Sequence, residues 1–147
     1  SSPQEKGKAL YKELGCDQCH RIGKEGGGVG PKLGQVLSSR TREHLLQSLI
    51  EPSKEISEGF SATLVVTKKG RVVEGRIERE DDAGLEIRTS DFTSGPIRIK
   101  KTDILERKPS KTSTMPTGLL DTLQKEAILD LLGYLISVAK TEKAAGK

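Results

Sequence analysis

The chain is 147 residues long, enough for one ordinary domain or a small domain carrying a compact insertion. Hydrophobic residues make up 33% and aromatics 3%, with no tryptophan, so the core is either modest or completed by something other than side chains. The net charge of +4 is too mild a basic bias to indicate nucleic acid, and no apolar run approaches the ~18 residues that span a bilayer.

Ser2-Pro3-Gln4-Glu5 predicts a helix start: a serine cap, a proline at the first helical position and a glutamate three residues after the cap. Leu10, Tyr11 and Leu14 give that helix an apolar side, and Gly7 leaves a flat spot on it. The segment Cys16-Asp17-Gln18-Cys19-His20 follows, and residues 24–34 read as a glycine-rich loop. Thr41 is placed to cap a second helix with Leu45, Leu46, Leu49 and Ile50 at helical spacing, stopped by Pro52.

From residue 59 to residue 108 the pattern alternates. SATLVVT, the turn KKG and RVVEGRIE predict a hairpin in which Leu64 and Val66 oppose Val73 and Ile77. LEIRT, IRIK and ILER complete roughly five short strands, enough for a small twisted sheet or SH3-like barrel. Residues 108–118 read as a Ser/Thr/Pro/Lys loop without periodicity. Leu120, Leu123, Ala127, Ile128, Leu131, Leu132, Leu135 and Val138 then share one face of a closing helix, with residues 144–147 expected to fray. The expected architecture is mainly α (residues 1–58 and 109–147) with an inserted all-β module (residues 59–108).

Both cysteines of the chain and one of its two histidines fall within five positions. Cys16-x-x-Cys19-His20 is the attachment pattern of c-type haem. Two thiols one helical turn apart can reach the two vinyl groups on one porphyrin edge, and the adjoining imidazole is carried under the iron. Two other chemistries compete. A structural zinc site needs two further ligands, and His44 is the only other Cys or His in the chain. A dithiol redox pair normally sits in a βα unit, whereas here a helix precedes and a glycine loop follows.

The second axial ligand decides between electron transfer and gas binding. Met115, the single methionine, lies in the polar stretch KTSTMPTG, where core-filling is an unexpected duty, and is the candidate. His44, a lysine and an open position are the rivals. The Pro31 carbonyl is placed to accept the other ring N–H of His20. The glycine run fits neither the P-loop nor the dinucleotide fingerprint. Lys100, Lys101, Arg107, Lys108 and Lys111 precede Met115 and form a candidate docking patch for acidic partners, with a merely solvated face as the competing reading. Nucleic acid is disfavoured, because the insert offers only Phe60 and Phe92 for stacking and carries an acidic EREDD turn.

Gly7, Cys16-Cys19-His20, Gly30-Pro31-Lys32-Leu33-Gly34, Met115-Pro116 and the closing LLGYL together resemble a class I c-type cytochrome. EPSKEISEGF followed by a β insert and KPSKTSTMPTGLLD is similar to the haem-binding domain found in Planctomycetes and Verrucomicrobia. The resemblance implies a cytochrome c fold whose first and last helices cross at Gly7 and Tyr134, and one covalent haem c whose iron lies between His20 and Met115. It further implies electron transfer rather than catalysis, and an extracytoplasmic, periplasmic location. The partners would be a dehydrogenase donor, in trans or as part of a longer chain, and a cytochrome or oxidase acceptor. A monomer is expected, and a haem-based gas or ligand sensor is the alternative function. Since the sequence starts on small polar residues with no signal peptide, it is expected to be a processed protein or a segment of a longer one.

Overall fold

A computed structural model describes residues 2–28, 30–57, 59–89, 91 and 95–144, without the side chains of Gln35 and residues 142–144. Phe92 and the three C-terminal residues, on which a stacking and a fraying expectation fell, lie outside the described residues. Two compact units divide the chain: Ser1–Lys54 with Thr117–Lys147, and Glu55–Pro116.

The first unit is helical. Helix α1 (Pro3–Glu13) starts as its sequence predicts, with Ser2 Oγ accepting the Glu5 N–H at 3.1 Å while the Glu5 carboxylate reaches back to the Ser2 N–H. A single turn, α2 (Cys16–Cys19), follows Gly15, whose φ of 82° makes the sharp entry that glycine takes without strain. Two short strands pair antiparallel: β1 (Arg21–Ile22), just ahead of the expected loop, and β2 (Glu25–Gly26), inside it. Helix α3 (Leu33–Ser38) also forms within and beyond it, burying Leu33 and Leu37.

Helix α4 (Arg42–Ile50) is capped by Thr41 Oγ1, which accepts the His44 N–H at 3.1 Å. Its Leu45 and Leu49 are buried, whereas Ile50, expected on the same face, is exposed.

Helix α5 (Lys125–Ala144) begins after two turns in which Asp121 N–H donates to Gly118 C=O and Leu123 N–H to Leu120 C=O. Leu120 is buried from this turn rather than from the helix. Leu131, Leu132, Leu135 and Val138 are buried on one side of α5, each contributing roughly 1.5–3 kcal/mol by the usual transfer scale. The helix α1–α5 packing is close at Gly7, where a Cβ would run into the Asp130 carbonyl oxygen and come within 2.7 Å of Tyr134 Cβ.

The second unit is a five-stranded antiparallel sheet. Strands β3 (Ser61–Thr67), β4 (Val72–Glu80), β5 (Gly84–Arg88), β6 (Ile97–Lys100) and β7 (Ile104–Ser113) run in the order β6-β5-β4-β3-β7. A 3-10 turn (Lys101–Asp103) joins the last two. Val65, Val73, Leu85, Ile87 and Ile99 form its core, with Ile77, Ile97 and Ile104 packed against them.

Three expectations need correcting. The fold is not mainly α: the chain is 37% helical and 29% strand, because the sheet is extensive while the stretches between α2 and α3 and just ahead of α5 add no α-helix. The hairpin register is one residue off the expected pairing. Val65, not Leu64 or Val66, faces Val73, and irregularities at both ends of β3 break the simple alternation on which a face assignment depends. Finally, residues 108–113 are not loop but the second half of β7. That strand stands at the sheet edge, where Pro109 and the lysines are tolerated because one side of the strand needs no ladder partner.

Candidate functional site

The geometry of the Cys16–His20 segment follows from how the next ten residues turn back beneath it. The His20 N–H closes the α2 turn on the Cys16 carbonyl at 2.9 Å, and His20 itself leaves the helix in extended conformation. The chain reverses between β1 and β2. Gly27 N–H then donates to the Asp17 carbonyl at 2.9 Å, and Gly30 N–H to the Cys19 carbonyl at 2.8 Å. Glycine is required where this strap meets the ring: a Cβ on Gly30 would lie 2.7 Å from His20 Cε1 and 2.9 Å from Nδ1. The strap delivers the Pro31 carbonyl to His20 Nδ1 at 2.8 Å.

A carbonyl oxygen only accepts, so that contact places the ring proton on Nδ1 and leaves the lone pair on Nε2. Burial lowers the pKa of the half-buried His20, with the Pro31 carbonyl working the other way, so the imidazole favours its neutral form. This is the protonation state in which imidazole binds a metal.

Cys16 and Cys19 are half-buried, not disulfide-bonded, and share the α2 turn. Burial pushes the Cys16 thiol up to about 11, against a backbone hydrogen bond that lowers it. A dithiol oxidoreductase needs the opposite shift in its attacking thiol, so the environment argues against that chemistry. Among the described residues no group of three or more His, Cys, Asp or Glu side chains is gathered as a closed zinc site would require. His44 lies in the first turn of α4.

Tyr11 was legible only as part of an apolar helix face. It is buried, its ring lies 5.7 Å from that of Tyr134, and its hydroxyl has no hydrogen-bond partner among the described residues. Burial, with Cys16 as the next cause, pushes its pKa up. An aromatic with a polar tip, one helical turn before the motif, was the available signal.

Met115 is half-buried and belongs to the sheet unit, two residues past the end of β7; its N–H donates to Ser113 Oγ at 3.1 Å. The basic patch is less free than its sequence implies. Lys101 Nζ lies 3.2 Å and Arg107 Nη2 3.0 Å from the Glu80 carboxylate, leaving Lys100, Lys108 and Lys111 as the cations of that group not engaged with it. Charge runs read in one dimension miss an acidic residue that a neighbouring strand brings alongside. No helix among the described residues is long and apolar enough to cross a membrane.

The family model described as cytochrome c matches residues 4–84, more than half of the chain. That span takes in α1, the Cys16–His20 segment, the Pro31 strap and the first strands of the sheet, and stops before Met115 and α5. No curated protein matches the chain. Members of this family bind haem c covalently and carry electrons. With its attachment motif, its oriented imidazole and a match covering more than half its length, the chain belongs to the cytochrome c family.

Proposed function

We propose that the chain moves single electrons through one haem c attached at Cys16 and Cys19, with His20 and Met115 as the axial ligands. The observation that carries this reading is the His20–Pro31 hydrogen bond at 2.8 Å, which aims Nε2 away from the protein's own acceptor. The residues present fit the group: two reduced thiols one helical turn apart, a neutral imidazole clamped at its far nitrogen, and a glycine where the strap must lie flat on the ring. When bound, haem c supplies reversible one-electron chemistry at iron.

The chain's own residues do the rest. Cys16 and Cys19 hold the group as thioethers, so it is not lost by dissociation. His20, fixed by Pro31, has no rotation to undergo between oxidation states, which keeps reorganisation small. Met115 supplies a neutral thioether, the ligand type associated with a raised potential. In this reading residues 1–58 and 109–147 are the haem domain and residues 59–108 an insert, although by contacts residues 109–116, Met115 among them, group with the sheet. The protein acts in the periplasm, accepting electrons from a dehydrogenase, separate or fused, and passing them to a cytochrome or oxidase.

A reduced-minus-oxidised spectrum with a CO challenge tests the ligation. The weak far-red ferric band of thioether-to-iron coordination should be present, absent in Met115→Ala, and CO should bind the reduced wild type poorly. Ready CO binding by the wild type would favour the gas-sensing alternative and end the Met115 assignment. Deleting residues 61–106 with a short linker, followed by partner reduction, tests whether the insert contributes to docking.

A further inference from the structure

We infer that the Tyr11 hydroxyl donates a hydrogen bond to the Cys16 sulfur once that sulfur is a thioether, which makes Tyr11 a positioning residue for the attached edge of the haem. The inference rests on the covalent attachment proposed above. Tyr11 lies in the last turn of α1 and is only 4% exposed. Its hydroxyl has no hydrogen-bond partner among the described residues. A buried hydroxyl normally finds one, because burial strips its water and returns nothing unless a partner replaces it. Packing does not account for the oxygen: a phenylalanine would make the same apolar contact without an unmet donor. Nor can the ring carry the hydroxyl elsewhere. It is packed against Tyr134 of α5, with centroids 5.7 Å apart and planes at 57°. The oxygen lies on the ring axis, so a ring flip leaves it in place and only a change of χ1 moves it. The partner must come to the hydroxyl.

Cys16 is the neighbour whose chemistry changes. Burial raises the Tyr11 pKa most, followed by Cys16, then Tyr134 and Asp17, so the hydroxyl keeps its proton and remains a donor. Cys16 is half-buried and not disulfide-bonded, and its free thiol stands here for the thioether sulfur of the attached form. A thiol carries its own hydrogen and turns freely about its Cα–Cβ bond. A thioether sulfur has no hydrogen, accepts only, and is held in place by its second carbon. Attachment therefore turns a rotating thiol beside Tyr11 into a fixed acceptor. The other acceptors that haem c brings are its carboxylates, which leave the macrocycle away from the thioether edge. Tyr11, Cys16 and Tyr134 all belong to the helical unit.

The test uses the haem-loaded protein, with covalent loading confirmed by mass so that a failure of attachment is read separately. In the diamagnetic ferrous state the Tyr11 hydroxyl proton should give a slowly exchanging resonance with nuclear Overhauser contacts to the Cys16 β protons, and Tyr11→Phe should lose it. In denaturant unfolding Tyr11→Phe should raise the unfolding constant about fivefold. That cost should shrink to less than about twofold when Cys16→Ala leaves the haem held through Cys19 alone, and should persist in Asp17→Asn. The inference is overturned if the hydroxyl proton exchanges too fast to be seen, or if its contacts are to Asp17 or to water rather than Cys16. It is equally overturned if Tyr11→Phe is as stable as the wild type or more so, as the removal of an unmet donor would make it, or if its cost is the same with and without the Cys16 sulfur. Should Cys16→Ala fail to load, the proton resonance and the Asp17→Asn comparison decide.

Discussion

The two units solve the problem of a finished core differently. In the sheet, Val65, Leu85 and Ile87 are fully excluded from solvent and the core is aliphatic throughout. Its surface is joined by ion pairs, such as Arg98 of β6 to Asp81 in the β4–β5 turn at 3.2 Å and Arg107 of β7 to Glu80 of β4 at 3.0 Å. The helical unit buries Leu131, Leu132 and Leu135 equally well, yet around its motif it keeps reactive groups only half covered and a tyrosine hydroxyl with no partner among the described residues. One unit is complete in its own side chains. The other holds chemistry that a polypeptide core has no use for, which is what a covalent cofactor site requires.

That contrast breaks most sharply at the cysteines. Replacing both, Cys16→Ser with Cys19→Ser, should abolish covalent haem entirely by mass while the sheet keeps its strand signal; haem retained in that variant would remove the basis of the contrast. Next in size, Ile87→Ala should cost about 2–5 kcal/mol of sheet stability in denaturant unfolding, with haem stoichiometry unchanged. A parallel loss of haem would mean that the units are not independent. Gly7→Ala tests the helical side. With the Asp130 carbonyl and Tyr134 Cβ in the way, the overpacked helix α1–α5 packing should lose about 1–3 kcal/mol. An unchanged melting temperature would show that the helices can part at no cost.

The smallest effect lies on the sheet surface. Hydrogen bonds from Arg107 and Lys101 lower the Glu80 carboxyl from its ordinary 4.5 to about 2. A carboxylate whose pKa is lower in the folded state stabilises that state when ionised. Its contribution is therefore complete above the ordinary carboxylate range and is lost as pH falls from about 4.5 through about 2. The stability difference between wild type and Glu80→Gln should be constant near neutrality, vanish across that acid window and shrink with salt, since the carboxylate is exposed. A difference that persists below pH 2 would show that the hydrogen-bond geometry, not the charge, is responsible.

Local chemistry was readable directly. The caps at Ser2 and Thr41 and the Cys16–His20 motif depend on residues within four positions of one another, so spacing alone specifies them. Features that depend on a distant partner were readable only in part. Pro31 could be nominated for His20, but the glycine strap that delivers it needed the β1–β2 reversal. The parity of β3 was misjudged because irregularities at its ends are set by the neighbouring strands. The extent of β7 was missed because proline and lysine read as loop unless one knows that the strand lies at an edge.

The sequence by itself determined the helix starts, the presence of a strand-rich insert and the chemistry of attachment, because each is written in neighbouring residues. Only the tertiary structure decided which side of each strand is buried and that Glu80 engages Lys101 and Arg107. Burial and charge pairing are properties of position in space, and residues far apart in the chain acquire them only when the fold brings them together.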